Sequence, residues 1–241
     1  MAKGLVVDNP LHNVENYRRE IRSFSLRQGK ITSGQQSAII NNLAQFGIDY
    51  EAKQHDFNFD FGRDVSKIME IGFGMGNATW QIAQSNPQND YICVEVHLPG
   101  VGSLLMQIVE HSVSNIRIIR YDAVEVLQHM VADISLHGVH IFFPDPWHKK
   151  RHHKRRIIQQ DFIELLVRKL DVGGYIHLAT DWQDYATWML DVLSANKNLV
   201  NQSPTNDYVL RPAYRPQTKF ENRGIGLGHV VRDIIFVKKN I

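Results

Sequence analysis

The chain has 241 residues, 43% of them hydrophobic, enough to bury one sizeable core and too few for two ordinary domains joined by a linker. Its 27 basic and 25 acidic side chains nearly cancel to a formal net charge of +2, so bulk charge announces no polyanionic partner and electrostatic arguments rest on where the charges lie. A single cysteine, Cys93, excludes an internal disulfide and any zinc site with two or more thiolates, and no stretch approaches the roughly 18 consecutive apolar residues that span a bilayer.

The first residues contain only a short apolar run, Leu5 to Val7, so a secretion signal is not expected and the protein reads as soluble, unsecreted and cytoplasmic. Residues 1–60 are mixed in polarity, with Arg18, Arg19, Arg22 and Arg27 clustered around Phe24, and are expected to form a partly basic N-terminal extension without a core of its own. From about residue 65, runs rich in β-branched residues alternate with helix-period runs, the pattern of an α/β domain with a largely parallel sheet, here residues 61–241. Strands are expected at 65–71, 91–96, 116–121, 139–143, 175–180 and 230–238. Val101, Leu104, Leu105 and Ile108 form one apolar stripe at helical spacing. Ile158, Phe162, Leu165 and Leu166 form a second, and Trp182, Ala186, Met189, Leu190 and Leu193 a third. Gly173-Gly174 is expected to stop the second of these helices and start the next strand. Residues 196–228, rich in Pro, Asn and Gly, read as irregular.

Directly at the end of the first strand stands Glu70-Ile71-Gly72-Phe73-Gly74-Met75-Gly76-Asn77, followed by a helix-period run through Trp80 and Ala83. Glycines at alternate positions let the backbone turn tightly and let a ligand approach without meeting Cβ atoms, and a strand-to-helix junction is where nucleotide-like cofactors bind in this architecture. Glu95 closes the second strand, where a carboxylate can accept from both ribose hydroxyls, a feature shared with nicotinamide-dinucleotide enzymes. Asp122 ends the third strand, placed to accept from an adenine amine. An acidic residue leading the glycine loop and another after strand three resemble the class I methyltransferase pattern. A dinucleotide fingerprint would want its third glycine where this chain has Asn77.

Ile141-Phe142-Phe143-Pro144-Asp145-Pro146-Trp147 puts Asp145 at the carboxyl end of an apolar strand, on the same edge as the glycine loop, with a proline on each side to fix its backbone. That carboxylate can cap a helix in a rigid turn or stand between cofactor and substrate, and Trp147 can fill core or stack on a base. The next segment, His148 to Arg156, carries six permanent cations and no acid before Asp161. A solvated helix face interleaves its charges; this run does not, so it points to phosphate binding. The same cations oppose a divalent ion, so the histidines are not expected to hold a metal. Asp181, in Ala179-Thr180-Asp181-Trp182, brings a second carboxylate to this edge, where it can equally cap the following helix. Thr218-Lys219-Phe220-Glu221 says little by itself.

Taken together, these segments resemble one family, the bacterial tRNA (guanine-N7)-methyltransferases. The likeness rests on the glycine loop, on Val94-Glu95-Val96-His97 with Pro99-Gly100-Val101-Gly102, on Phe142 to Lys149, on Arg151 to Arg156, on Ala179 to Trp182 and on Thr218 to Glu221. It covers nearly all of residues 65–238, and Arg22-Ser23-Phe24 with Thr32-x-Gly34-Gln35 extends it into the N-terminal arm. The resemblance implies a Rossmann-like, seven-stranded, mostly parallel sheet with an antiparallel last strand and helices on both faces. It implies S-adenosyl-L-methionine as cofactor, bound by Glu70, Gly72, Gly74, Gly76, Glu95, Asp122 and Asp145, with Asp145 as the catalytic carboxylate. Lys149, Asp181, Thr218, Lys219, Phe220 and Glu221 would contact the substrate, and Arg151, His152, His153, Lys154, Arg155 and Arg156 the RNA. The implied reaction methylates N7 of the guanine at position 46 in the tRNA variable loop, with no obligate protein partner evident. Two other readings stay open. One is an amino-methyltransferase acting on adenine or cytosine, whose loop after the same strand often reads Asp or Asn, Pro-Pro and an aromatic. The other is a non-catalytic RNA-binding module that retains the fold, against which the intact acidic and glycine positions speak.

Overall fold

The computed structural model describes residues 21–25 and 29–240. Its strands are β1 (Lys67–Ile71), β2 (Asp90–Val94), β3 (Ile116–Ile119), β4 (Leu136–Phe142), β5 (Leu170–Thr180), β6 (Leu199–Asn201) and β7 (Arg232–Lys238). They form one sheet in the order β3-β2-β1-β4-β5-β7-β6. The first five run parallel, and β7 runs antiparallel between β5 and β6. Every residue of β1 and β2 is buried, because helices cover both faces of this part of the sheet.

Alternation along the strands sends side chains into two cores. On one face Ile68, Tyr91, Cys93 and Ile118 pack with α1 (Ser33–Phe46), α3 (Thr79–Ser85) and α4 (Leu98–Glu110). On the other, Met69, Ile92 and Val139 pack with α5 (Ala123–His129), α6 (Gln160–Lys169) and α7 (Gln183–Ser194). Cys93 is fully buried, and burial pushes its thiol well above the usual value, consistent with a reduced core residue.

Packing does not break at residue 60. Ala38, Ile39 and Phe46 of α1 belong to the first core, and Phe57, which opens α2 (Phe57–Phe61), belongs to the second. The Thr32-x-Gly-Gln35 segment is a capping box: Thr32 Oγ1 accepts from the Gln35 backbone at 3.2 Å and Gln35 Oε1 from the Thr32 backbone at 2.9 Å. The Pro99-Gly100-Val101-Gly102 segment is explained by two close approaches. A Cβ on Gly100 would lie 2.2 Å from the Gly74 carbonyl oxygen, and one on Gly102 would lie 2.7 Å from the Gln35 Cβ. Larger residues would push α4 off the glycine loop and off α1. Arg18, Arg19, Arg27 and Leu5 to Val7 lie outside the described residues.

Three expectations are corrected. Gly173-Gly174 does not end a helix; α6 stops at Lys169, and the glycines lie inside β5, beside the shift in register with β4 between Leu136 and Gly138. Ile158 is buried but precedes α6, which begins at Gln160. The irregular-looking 196–228 stretch contains β6 and a further helix, α8 (Lys219–Gly226), whose Gly and Asn content masks it because their propensity is overridden by tertiary anchoring.

Candidate active site

A cleft of about 210 Å³ opens at the carboxyl ends of β1 to β4, where the strand order reverses between β1 and β4. Gly72, Glu95, Asp122 and Asp145, from the ends of four different strands, all line it. Among the described residues its wall holds three carboxylates and no lysine or arginine, a field that favours a cationic ligand and repels the pyrophosphate of a dinucleotide.

The glycine loop turns with positive φ at Gly72, Gly74 and Gly76, a conformation L side chains rarely adopt. Glu95 holds it in shape: Oε2 accepts from the Gly74 backbone N–H at 3.0 Å, while Oε1 accepts from Val96 at 2.7 Å and His97 at 3.0 Å. A carboxylate has about four acceptor sites, so one remains on Oε2, enough for a single ribose hydroxyl. Asp122 also serves the fold, its Oδ1 accepting from the Val124 backbone as the N-cap of α5. Glu70 does not line the cleft. It is buried in β1 with its Oε2 lacking a hydrogen-bond partner among the described residues, and burial raises its carboxyl to about 7.

The loop after β4 is strained at both ends. Phe143 has φ +52 and Trp147 φ +47, conformations that cost aromatic residues roughly 1–3 kcal/mol each and persist only where surrounding contacts over-determine them. Those contacts are present. Trp147 Nε1 donates to the Ser23 carbonyl at 3.1 Å, and the Arg155 guanidinium lies 3.9 Å from the Trp147 ring centroid. Arg155 also donates to the carbonyls of Arg22 and Phe24, so the 22–24 arm is pinned across the rim of the cleft, which Ser23 and Phe24 line. Asp145, between the two prolines, is exposed and accepts no hydrogen bond from any described residue. The fold does not spend this carboxylate.

The basic run forms a short 3-10 helix, Lys150–Arg155, and divides in two. Lys149, Lys150, Arg151 and Lys154 are exposed. Partial desolvation and then the cations around it lower the pKa of His152, which favours its neutral form. Arg156, expected on the RNA, is the correction. It is 2% exposed, donates to the Pro146 carbonyl at 3.0 Å, pairs with Asp184 and lies over Tyr185. It braces the Asp145 loop from behind, and His153 faces inward beside it.

Asp181 does not cap α7. Thr180 Oγ1 takes the Trp182 N–H at 3.2 Å, and Asp181 Oδ2 instead meets His229 Nδ1 at 2.9 Å. Thr218 is the N-cap of α8, accepting from the Glu221 backbone at 3.1 Å. Glu221, expected on the substrate, is buried: both its oxygens accept from Arg215, at 2.7 and 3.0 Å. Arg215 also holds Asp233 of β7 at 2.6 and 2.8 Å, and Asp233 in turn meets His177 Nε2 at 2.8 Å. Burial opposes the Arg215 charge, yet its bonds to the two carboxylates outweigh that and raise its pKa. The side chains of Lys219 and Phe220 lie outside the described residues. Sequence reasoning missed Arg215 and His229; the first sits in the irregular stretch and the second just beyond it, and their partners are distant in sequence or on other elements.

A family model described as "Putative methyltransferase" matches residues 64–234. The tRNA (guanine-N(7)-)-methyltransferase of Methylobacillus flagellatus is 56% identical over 99% of this chain and 100% of its own length. That of Chromobacterium violaceum is 56% identical over 92% of this chain and 98% of its own. Among solved structures, the 16S rRNA methyltransferase KamB superposes with a TM-score of 0.58 at 10% identity, over 78% of this chain and 95% of that one. TrmN from Thermus thermophilus gives 0.52 at 14% identity, over 86% and 48%. These two likenesses establish the Rossmann-like methyltransferase fold, and the close relatives establish the membership: the chain belongs to the bacterial tRNA (guanine-N7)-methyltransferase family.

Proposed function

We propose that this protein methylates N7 of a guanine in tRNA, the base at position 46 of the variable loop, and that it does so in the cytoplasm with S-adenosylmethionine as methyl donor. The observation that carries the reading is the placement of Asp145, a rigidly held carboxylate unused by the fold, between an acidic cleft and a run of exposed cations. The choice of position 46 rests on the likeness of the motifs to the family. No described helix is long and apolar enough to cross a membrane.

When bound, S-adenosylmethionine supplies an electrophilic sulfonium methyl. The residues present in the cleft suit it: Glu95 keeps an acceptor site for a ribose hydroxyl, and Asp122 offers a carboxylate to the adenine amine. Guanine N7 has an in-plane lone pair, so the protein needs no general base; it must align the base and exclude water. Asp145 can accept from guanine N1–H and the exocyclic amine while N7 stays turned to the cleft. As N7 is alkylated the ring becomes cationic and its N1–H a stronger donor, so a carboxylate bonded there holds the transition state more tightly than the ground state. Lys149, Lys150, Arg151 and Lys154 would meet the phosphates on either side of the extracted base.

The test is incubation with methyl-labelled S-adenosylmethionine and a tRNA transcript, digestion and identification of the labelled nucleoside. Label in N7-methylguanosine, lost from a transcript with adenosine at position 46, is expected. Label in an amino-methylated adenine or cytosine would overturn the reading.

A further inference from the structure

Asp181 leaves β5 on the same edge as Asp145, yet the fold does not use it in the way its position suggests. The N-cap position of α7 falls on Trp182, and among the described residues only His229 meets the Asp181 carboxylate, through Oδ2 at 2.9 Å. Among the described residues Oδ1 has no donor. The His229 ring is about half exposed, and Asp181 is a quarter exposed, so the pair stands at the surface and not in the core.

His229 is delivered to this place by a braced element. Thr218 caps the first turn of α8, and the Arg215 pair with Glu221 ties that turn to Asp233 in β7. At the other end the His229 backbone N–H returns to the Gly224 carbonyl at 3.0 Å, through a turn in which Gly228 adopts φ +85. A Cβ on Gly224 would lie 3.7 Å from both Asp181 Oδ2 and the His229 side chain, so the helix end rests directly against the pair.

We propose that His229 is a positioning residue for the methyl transfer: its Nδ1–H holds Asp181 Oδ2 so that Oδ1 is presented to the substrate base. This rests on the reading that Asp181 touches the substrate. It also gives buried Glu221 a part in substrate recognition without contact, through the helix that carries His229 to Asp181.

The test uses the full chain with His229→Ala, His229→Asn, Asp181→Asn and the double variant Asp181→Asn/His229→Ala. Loss of one hydrogen bond to the carboxylate should lower kcat/KM for tRNA about two- to tenfold in His229→Ala. S-adenosylmethionine affinity and Tm should not move. His229→Asn, whose amide nitrogen can take the place of Nδ1, should recover most of the loss. In the Asp181→Asn background, His229→Ala should have no further effect. Additive losses in the double variant, or full activity of His229→Ala beside an impaired Asp181→Asn, would overturn the inference. Full activity of Asp181→Asn itself would instead remove Asp181 from the substrate site, and the inference with it.

Discussion

The Trp147 indole donates to the Ser23 carbonyl at 3.1 Å, tying the strained loop after β4 to a segment more than a hundred positions earlier that lies on the rim of the cleft. The arm and the Asp145 loop therefore hold each other.

Trp147→Phe keeps a ring for Arg155 to cover but removes the donor. Freed from one ordinary hydrogen bond, the arm should open more often, and S-adenosylmethionine should dissociate about two- to tenfold faster. Stopped-flow release of the cofactor measures this. An unchanged off-rate would show that the arm does not control exit from the cleft.

Glu70 makes stability depend on pH. Its folded pKa of about 7 lies above the ordinary 4.5, so the folded protein binds its proton more tightly than the unfolded chain does. The contribution is fully present below about 4.5 and is lost as pH rises through about 7. The loss amounts to about 3 kcal/mol. Glu70→Gln, neutral throughout, should match the wild type below about pH 4.5 and exceed it above about pH 7 in urea unfolding. Parallel stability curves for the two proteins would mean that Glu70 stays ionised.

The two halves of the basic run should separate experimentally. Replacing Lys150, Arg151 and Lys154 with Ala should flatten the dependence of log tRNA affinity on log salt by about 0.7–0.9 per residue, with little change in stability. Arg156→Ala should leave that slope alone and lower stability by roughly 1–3 kcal/mol, through loss of its buried stem and its bond to Pro146. A changed slope for Arg156→Ala would return it to the RNA surface.

Removing the charge from Asp145 tests its role as the group that reads guanine. Asp145→Asn turns one acceptor into a donor facing guanine's own donors, so turnover should collapse. Inosine at the target position lacks the exocyclic amine and should cost the wild type about 0.5–3 kcal/mol in kcat/KM. That penalty should shrink in the variant. Equal penalties in both proteins would assign base reading to another residue, Asp181 first.

Arg215→Met leaves two buried carboxylates facing each other without a cation. Breaking such a cluster should cost about 3–5 kcal/mol in unfolding experiments. The effect should exceed that of Arg156→Ala, because Asp184 can be hydrated when its partner is lost while Glu221 and Asp233 cannot. Equal costs would show that water reaches the Arg215 cluster.

The amino-acid sequence by itself determined what depends on local order. Strand and helix alternation follows from hydrophobic period, the tight turn after β1 from glycines spaced by two, and the placement of Glu95, Asp122, Asp145 and Asp181 on one edge from the ends of apolar runs in a parallel sheet. Tertiary structure decided which charges are available to a ligand. Along the chain Arg156 looks like Arg151, and Glu221 looks like any acid in a polar stretch, because charge is a property of the residue. Burial is a property of what folds against it. Asp184 reaches Arg156 from α7, Arg215 reaches Glu221 and Asp233 from the loop before α8, and Trp147 reaches Ser23 from across the site. None of these pairings is encoded in spacing. Each exists because the sheet brings distant segments within hydrogen-bond range, where an unpaired buried charge would be costly and a paired one becomes part of the frame.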